Sequence, residues 1–170
     1  MFDLLKMYEN GAFYFKPGED LKTKCMDSQI PKECCGVYIV YGFCGNEKKV
    51  MYIGSSGHLD ENNKPKPRKG GLKRRIYGKQ KNESGKLVYR NKLWPDLMGT
   101  SITKLEICWY NTGDDNPLNV EFLLLLEYII LYRKFPIWNK EIKLDKRLNV
   151  DLENFMKEKN ISFFKMISAQ

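Results

Sequence analysis

Gly36-Val-Tyr-Ile-Val-Tyr-Gly-Phe43 is followed by Cys44-Gly-Asn-Glu47 and then by Lys49-Val-Met-Tyr-Ile-Gly54. The outer runs are rich in β-branched and aromatic residues, and the four residues between them carry turn chemistry. The stretch therefore predicts a β-hairpin. Working outward, Ile102-Thr-Lys-Leu-Glu-Ile-Cys-Trp-Tyr110 alternates well enough for a third strand. Asn116-Pro117 opens the strongest helix, because Asn is a good N-cap and Pro suits the first turn. Phe122 to Tyr132 is apolar nearly throughout, which predicts a helix buried on most sides and ended before Pro136. A basic helix is expected from Leu72 to Lys81, and a second within residues 86–98, ending near Pro95. Residues 1–33 read as an N-terminal extension, with a short helix from Asp3 to Glu9 and irregular structure around Pro17-Gly18. Residues 141–170 read as a C-terminal extension with an amphipathic helix around Leu152–Lys157. The order hairpin, helix, strand, helix predicts one α+β domain, a three-stranded antiparallel sheet flanked by helices.

Charge narrows the class of partner. The net charge is +8, and 12 of the 29 basic residues lie between Lys64 and Lys92 beside one acid, Glu83. Such concentration suggests a surface that meets a polyanion. Pro, Gly and aromatic residues interrupt the stretch, and no basic amphipathic helix with a continuous apolar stripe accompanies it. Nucleic acid is thus favoured over membrane. Residues 55–71, broken by Pro65, Pro67 and Gly70-Gly71, are expected to form a basic loop insertion longer than most connections. The longest apolar run, Phe122 to Leu126, is too short to span a bilayer. The N-terminus lacks signal-peptide features, so a cytoplasmic location is expected. The 5 cysteines show no Cys-x-x-Cys pair and the chain has 1 histidine, so reduced thiols are expected rather than a thiolate metal site.

Taken in order, four elements carry a family resemblance. Gly36-Val37-Tyr38 with Tyr52-Ile53-Gly54 resembles the paired signature of the GIY-YIG nucleases, with Val37 in place of isoleucine. Gly71-Leu-Lys-Arg-Arg75-Ile resembles the family helix that presents an arginine to the scissile phosphate, and the alignment selects Arg75 over Arg74. Leu126-Glu127-Tyr-Ile-Ile-Leu-Tyr-Arg-Lys-Phe-Pro-Ile-Trp-Asn139 resembles the later helix and exit loop, where a glutamate holds the metal and an asparagine follows a proline-aromatic stretch. The resemblance spans residues 36–140.

It implies a metal-dependent phosphodiesterase. Glu127 would bind one hard divalent cation, Mg²⁺ with Mn²⁺ as a substitute, because Mg²⁺ often takes only one or two protein carboxylates. A glutamate inside an apolar helix also costs burial energy unless paired or bound to a cation. Glu121, six residues earlier, falls roughly 120° away around the axis and is expected to face elsewhere. Arg75 would fork onto a non-bridging phosphate oxygen. Tyr38 would act as general base, its pKa lowered by a nearby cation or metal-bound water. Lys79, four residues after Arg75 on the expected helix, is one candidate for that cation; His58 is an alternative acid or base, or else an exposed loop histidine that contacts phosphate or has no role. Tyr52 would orient water or phosphate, Gly54 would let the backbone approach substrate, and Asn139 would brace the site through hydrogen bonds. The bland alternatives are Glu127 as a helix ion-pair partner and Arg75 as one phosphate contact among several.

For DNA contact the candidates are Lys66, Arg68, Lys69, Lys73, Arg74, Gln80 and Arg90, with Asn62 and Asn63 added for base edges. The compact chain with its long insertion is most similar to small Type II restriction endonucleases of the family. Double-strand cutting of DNA would then use a homodimer, one site per protomer. A phage or repair nuclease of low specificity, RNA as substrate, and a non-catalytic binding module on the same fold are the alternatives.

Overall fold

The computed structural model describes residues 1–140, 142 and 154–159. A 3-10 helix (Asp3–Met7) leads into strand β1 (Glu9–Phe15) and helix α1 (Leu21–Asp27). The hairpin strands β2 (Gly36–Cys44) and β3 (Glu47–Ser56) follow, then a small hairpin of β4 (His58–Leu59) and β5 (Pro65–Lys66). Next come α2 (Gly71–Tyr77), a second small hairpin of β6 (Lys79–Lys81) and β7 (Leu87–Tyr89), and α3 (Arg90–Met98). Strand β8 (Lys104–Asn111) and α4 (Pro117–Tyr132) complete an α+β fold.

The main sheet has four antiparallel strands in the order β1-β8-β2-β3, one more than the sequence reading expects. The extra strand comes from the supposed N-terminal extension: Glu9 to Phe15 pairs with Asn111 to Leu105. Its side chains alternate between core and solvent near its end. Phe15 is fully buried with Phe13 packed against the same core, while Tyr14 between them is exposed.

Period-two alternation splits the core into two layers. Tyr38 and Val40 face α1, α2 and α3, whereas Val37, Ile39 and Ile53 face α4 and the N-terminal Phe2 and Leu5. A bulge at the Val40/Tyr41 step leaves Met51 as the extra residue in β3. Met51 and Tyr52 therefore both lie on the Tyr38 side, while Val50 falls to the α4 side. Across the sheet from Tyr38 lies Gly54. Both signature glycines are places where something else needs the space: a Cβ on Gly36 would run into the Tyr110 carbonyl, and one on Gly54 would meet Tyr52 at 2.6 Å and the Tyr38 hydroxyl at 2.8 Å.

Several boundaries differ from expectation for identifiable reasons. Helix α2 stops at Tyr77, with Gly78 as an extended cap, so Lys79 starts a strand instead of ending a helix. Helix α3 runs through Pro95 to Met98, because burial of Leu93, Trp94 and Met98 outweighs one missing backbone bond. Residues 55–71 are not a plain loop. Their tip is an Asp60 turn in which Oδ1 accepts from the Asn62 and Lys64 amides at 2.8 and 2.9 Å. The β6–β7 tip has the same design, with Asn82 Oδ1 accepting from Lys86 N at 2.9 Å. Helix α4 begins as expected, Asn116 Oδ1 accepting from Leu118 N at 3.0 Å. Of the C-terminal helix expected around Leu152–Lys157, residues 154–158 are helical, burying Phe155 and Met156, and Leu152 lies outside the described residues.

Candidate functional site

Ser55, near the end of edge strand β3, is where the two layers meet. Its hydroxyl donates to Glu121 Oε2 of α4, while its carbonyl accepts from Arg75 Nε of α2 at 3.1 Å. Arg75 in turn stands against Tyr38, closely enough that Tyr38, then Tyr52 and Glu121, hold the guanidinium firmly protonated against the cost of its burial. It approaches the Tyr38 hydroxyl without closing a hydrogen bond, and Tyr38 Oη has no hydrogen-bond partner among the described residues. Tyr38 and Tyr52 face each other with ring centres 5.8 Å apart.

The two glutamates of α4 lie in different surroundings. Glu121, expected to point elsewhere, is the carboxylate at Ser55, and its charge is felt by both Tyr38 and Arg75. Glu127 instead accepts the backbone amide of Phe2 at 2.7 Å, pinning the N-terminal segment to α4. Six residues on a helix separate the two by about 9 Å along the axis and 120° around it, so one metal site does not use both. The family resemblance registers the apolar run but says nothing about which turn of α4 lies over the end of β3.

Tyr38 also departs from expectation. It is fully buried, and burial pushes its phenol well above the usual tyrosine range, with Arg90 and then Arg75 pulling the other way. Lys79, the expected cation, is engaged elsewhere. It is exposed on β6 with Nζ 4.9 Å from the centre of the Tyr89 ring. Besides Arg75, the cation that reaches the tyrosines is Arg90. Only 1% exposed, it lies with its guanidinium carbon 5.8 Å from the Tyr38 ring centre and 5.6 Å from that of Tyr52. Its Nε donates to Gln80 Oε1 at 2.8 Å, and its Nη1 donates to the Arg75 carbonyl. Gln80 Oε1 also accepts from Trp94 Nε1 at 3.3 Å. Arg90 is therefore an interior residue that does not reach DNA, and half-buried Gln80 is its partner. A basic residue opening α3 gives no sequence signal of burial, since arginine is rarely buried unless paired.

Asn139 holds β3 from the outside. Its Oδ1 accepts from Ile53 N and its Nδ2 donates to Ile53 O, both at 2.9 Å, while Trp138 N donates to Met51 O at 2.8 Å. The exit loop thus covers the edge strand and fixes the residue between Tyr52 and Gly54.

Beside Arg75 opens a cleft of about 1300 Å³. Lys22, Arg68, Lys69, Arg74, Arg75, Lys79 and Lys92 line it together with His58. The one acid among its described lining residues, Asp20, caps α1 by accepting from Thr23 N at 2.7 Å. Arg68, which donates from Nε to the Gly57 carbonyl at 3.2 Å, Lys69 and Arg74 are exposed here, as DNA contacts require. His58 stands on the wall, its Nδ1 without a hydrogen-bond partner among the described residues. Lys66 is exposed on β5 opposite His58, and Asn62 and Asn63 are exposed at that hairpin's tip. Lys73 is otherwise employed: its Nζ donates to the carbonyls of Met26 and Ser28 at 3.2 and 3.3 Å, tying α2 to the end of α1.

Among the described residues no helix is long and apolar enough to cross a membrane, and no three His, Cys, Asp or Glu side chains cluster to hold a metal ion. The five cysteines are free thiols. No family model, no curated protein and no solved structure matches the chain.

Proposed function

We propose that this chain is a metal-dependent endonuclease acting on double-stranded DNA, with Glu121 rather than Glu127 as its metal carboxylate. The observation that carries this reading is that Ser55 joins Glu121 to Arg75, which stands against Tyr38 and lines the basic cleft. A pure binding module would have little use for a carboxylate there, because it repels phosphate.

Glu121 and Ser55 offer hard oxygen donors and no thiolate or imidazole, a set that suits Mg²⁺, or Mn²⁺ in its place, with water and phosphate oxygens completing the shell. When bound, such an ion neutralises phosphate charge and favours ionised water at neutral pH. The protein groups divide the remaining work. Arg75, kept protonated, turns its guanidinium onto a non-bridging phosphate oxygen as negative charge grows there. That turn of Arg75 uncovers the buried Tyr38 Oη, which then accepts a hydrogen bond from the attacking water and orients it. Becoming a true base requires positive charge beyond what Arg90 and Arg75 already supply. Asn139 fixes Ile53 and hence the spacing between Tyr52 and Gly54. Arg68, Lys69 and Arg74 hold the flanking backbone of the duplex.

The β4–β5 hairpin beside the cleft, an insertion like that of compact restriction enzymes, supports that subclass, with a homodimer supplying the second cut. The test is incubation of purified protein with unmethylated phage DNA in Mg²⁺ or EDTA, beside Glu121→Gln. Discrete fragments that need Mg²⁺ and disappear in the variant are expected. A smear would keep the nuclease but point to a degradative or repair role. Uncut DNA in every lane with a shifted band would replace catalysis by binding.

A further inference from the structure

The β6–β7 hairpin has two different faces. Register pairs Lys79 with Tyr89 and Lys81 with Leu87, so these four side chains share one face. All four are exposed, Leu87 and Tyr89 at 58% each, which is unusual for large apolar groups next to one another. The other face is bolted to the body of the protein through Gln80, held by buried Arg90, while Arg90 N donates to the Gly78 carbonyl at 3.0 Å. The hairpin is therefore a rigidly rooted ribbon, and Lys79 and Tyr89 reach into the basic cleft. The core does not need the exposed apolar pair, and the lysines would repel a basic partner or a second copy of this cationic surface.

Building on the nuclease reading above, we propose that the β6–β7 ribbon enters a groove of duplex DNA. Tyr89 and Leu87 lie against the bases and Lys79 and Lys81 hold the flanking phosphates. The complementarity is specific: a two-stranded ribbon fits a DNA groove, apolar groups contact base edges, and ammonium groups displace counterions from the backbone. The partner is DNA, and not an acidic protein, because the ribbon's face continues into the cleft that holds Arg75.

Equilibrium binding of a 30-base-pair duplex of mixed sequence, followed by anisotropy in EDTA over a range of salt, tests this without cleavage. Lys79→Ala with Lys81→Ala should weaken binding and reduce the slope of log K against log salt by about 1.8, roughly 0.9 for each phosphate no longer neutralised. Leu87→Ser with Tyr89→Ser should weaken binding roughly tenfold and leave that slope unchanged. Tyr89→Trp should retain affinity, and thermal melts of all variants control for folding. If the wild-type chain binds but both double variants match it in affinity and slope, the ribbon proposal fails alone. If the wild-type chain binds no duplex, the ribbon and the nuclease reading fail together. Tighter binding of the matched single strand than of the duplex also overturns the groove assignment.

Discussion

The guanidinium carbon of Arg90 lies 5.8 Å from the ring centre of Tyr38, and both side chains are closed off from solvent. A buried cation beside a buried phenol links stability to the site. Arg90 also ties the Arg75 carbonyl to Gln80, so it fixes the end of the helix that carries Arg75. Arg90→Met should cost about 2–4 kcal/mol in urea unfolding, since hydrogen bonds to a charged group disappear and their acceptors stay buried. The same variant should leave the salt slope of DNA binding unchanged, because Arg90 touches no phosphate. A reduced slope with intact stability would return Arg90 to the surface role read from its sequence.

Glu127 and Glu121 make separable predictions. Glu127→Gln loses a charge-assisted bond to the Phe2 amide, which should cost about 1 kcal/mol and loosen the N-terminal segment, while Mg²⁺-dependent cleavage persists. Glu121→Gln should lower the cleavage rate by at least about 100-fold, on the scale of removing a major charge-stabilising group. Rate measurements on both variants at saturating Mg²⁺ decide between them. Loss of cleavage in Glu127→Gln alone would restore the family's glutamate to the metal.

Gly54→Ala is a one-carbon test of the tyrosine pair. Alanine suits a strand interior better than glycine, so stabilisation is the ordinary expectation. Here the added carbon would meet Tyr52 Cε1 at 2.6 Å and Tyr38 Oη at 2.8 Å, and Tyr38 is fully buried. Overpacking of this kind should cost about 1–3 kcal/mol and displace Tyr38, with cleavage falling more than DNA affinity. A variant at least as stable as wild type with full activity would show that the two rings can yield.

The hairpin, its turn and the long α4 were legible because strand alternation, turn chemistry and an N-cap are local signals. Gly54 was expected to let the backbone approach substrate, whereas the space at Gly36 and Gly54 is taken by the Tyr110 carbonyl and the two tyrosine rings, a tertiary fact. Strand β1 was missed because its apolar alternation covers only Ala12 to Phe15, next to a Pro-Gly turn, and pairing with β8 across some 90 residues decides it. The surroundings of the site residues were not legible where rotation about a helix matters. Nothing in the run Val120 to Glu127 says which glutamate sits over Ser55, and Gly78 alone warned that Lys79 leaves the helix of Arg75. Burial of Arg90 and its pairing with Gln80 had no sequence signature.

The stability of the fold should fall steeply at alkaline pH. Burial pushes the Cys25 thiol up to about 12 and the Cys108 thiol to about 11, and moves the phenols of Tyr38 and Tyr41 well above the ordinary range. Each group stays protonated in the fold where the unfolded chain would release its proton, at roughly 8.5 for a thiol and 10 for a phenol. Their contribution is therefore fully present below those values and is lost as pH rises through them toward the folded values. Cys25 and Tyr38 are fully buried, so solvent does not soften the effect. Cys25 alone should cost about 3 kcal/mol by pH 10.5, with Tyr38 adding to the slope above pH 10. Urea midpoints measured under reducing conditions at pH 7.5, 9 and 10.5 should fall progressively, and Cys25→Ala should flatten the first part of that fall. Midpoints that stay level to pH 10.5 would mean that these thiols and phenols ionise in the folded protein as easily as in water.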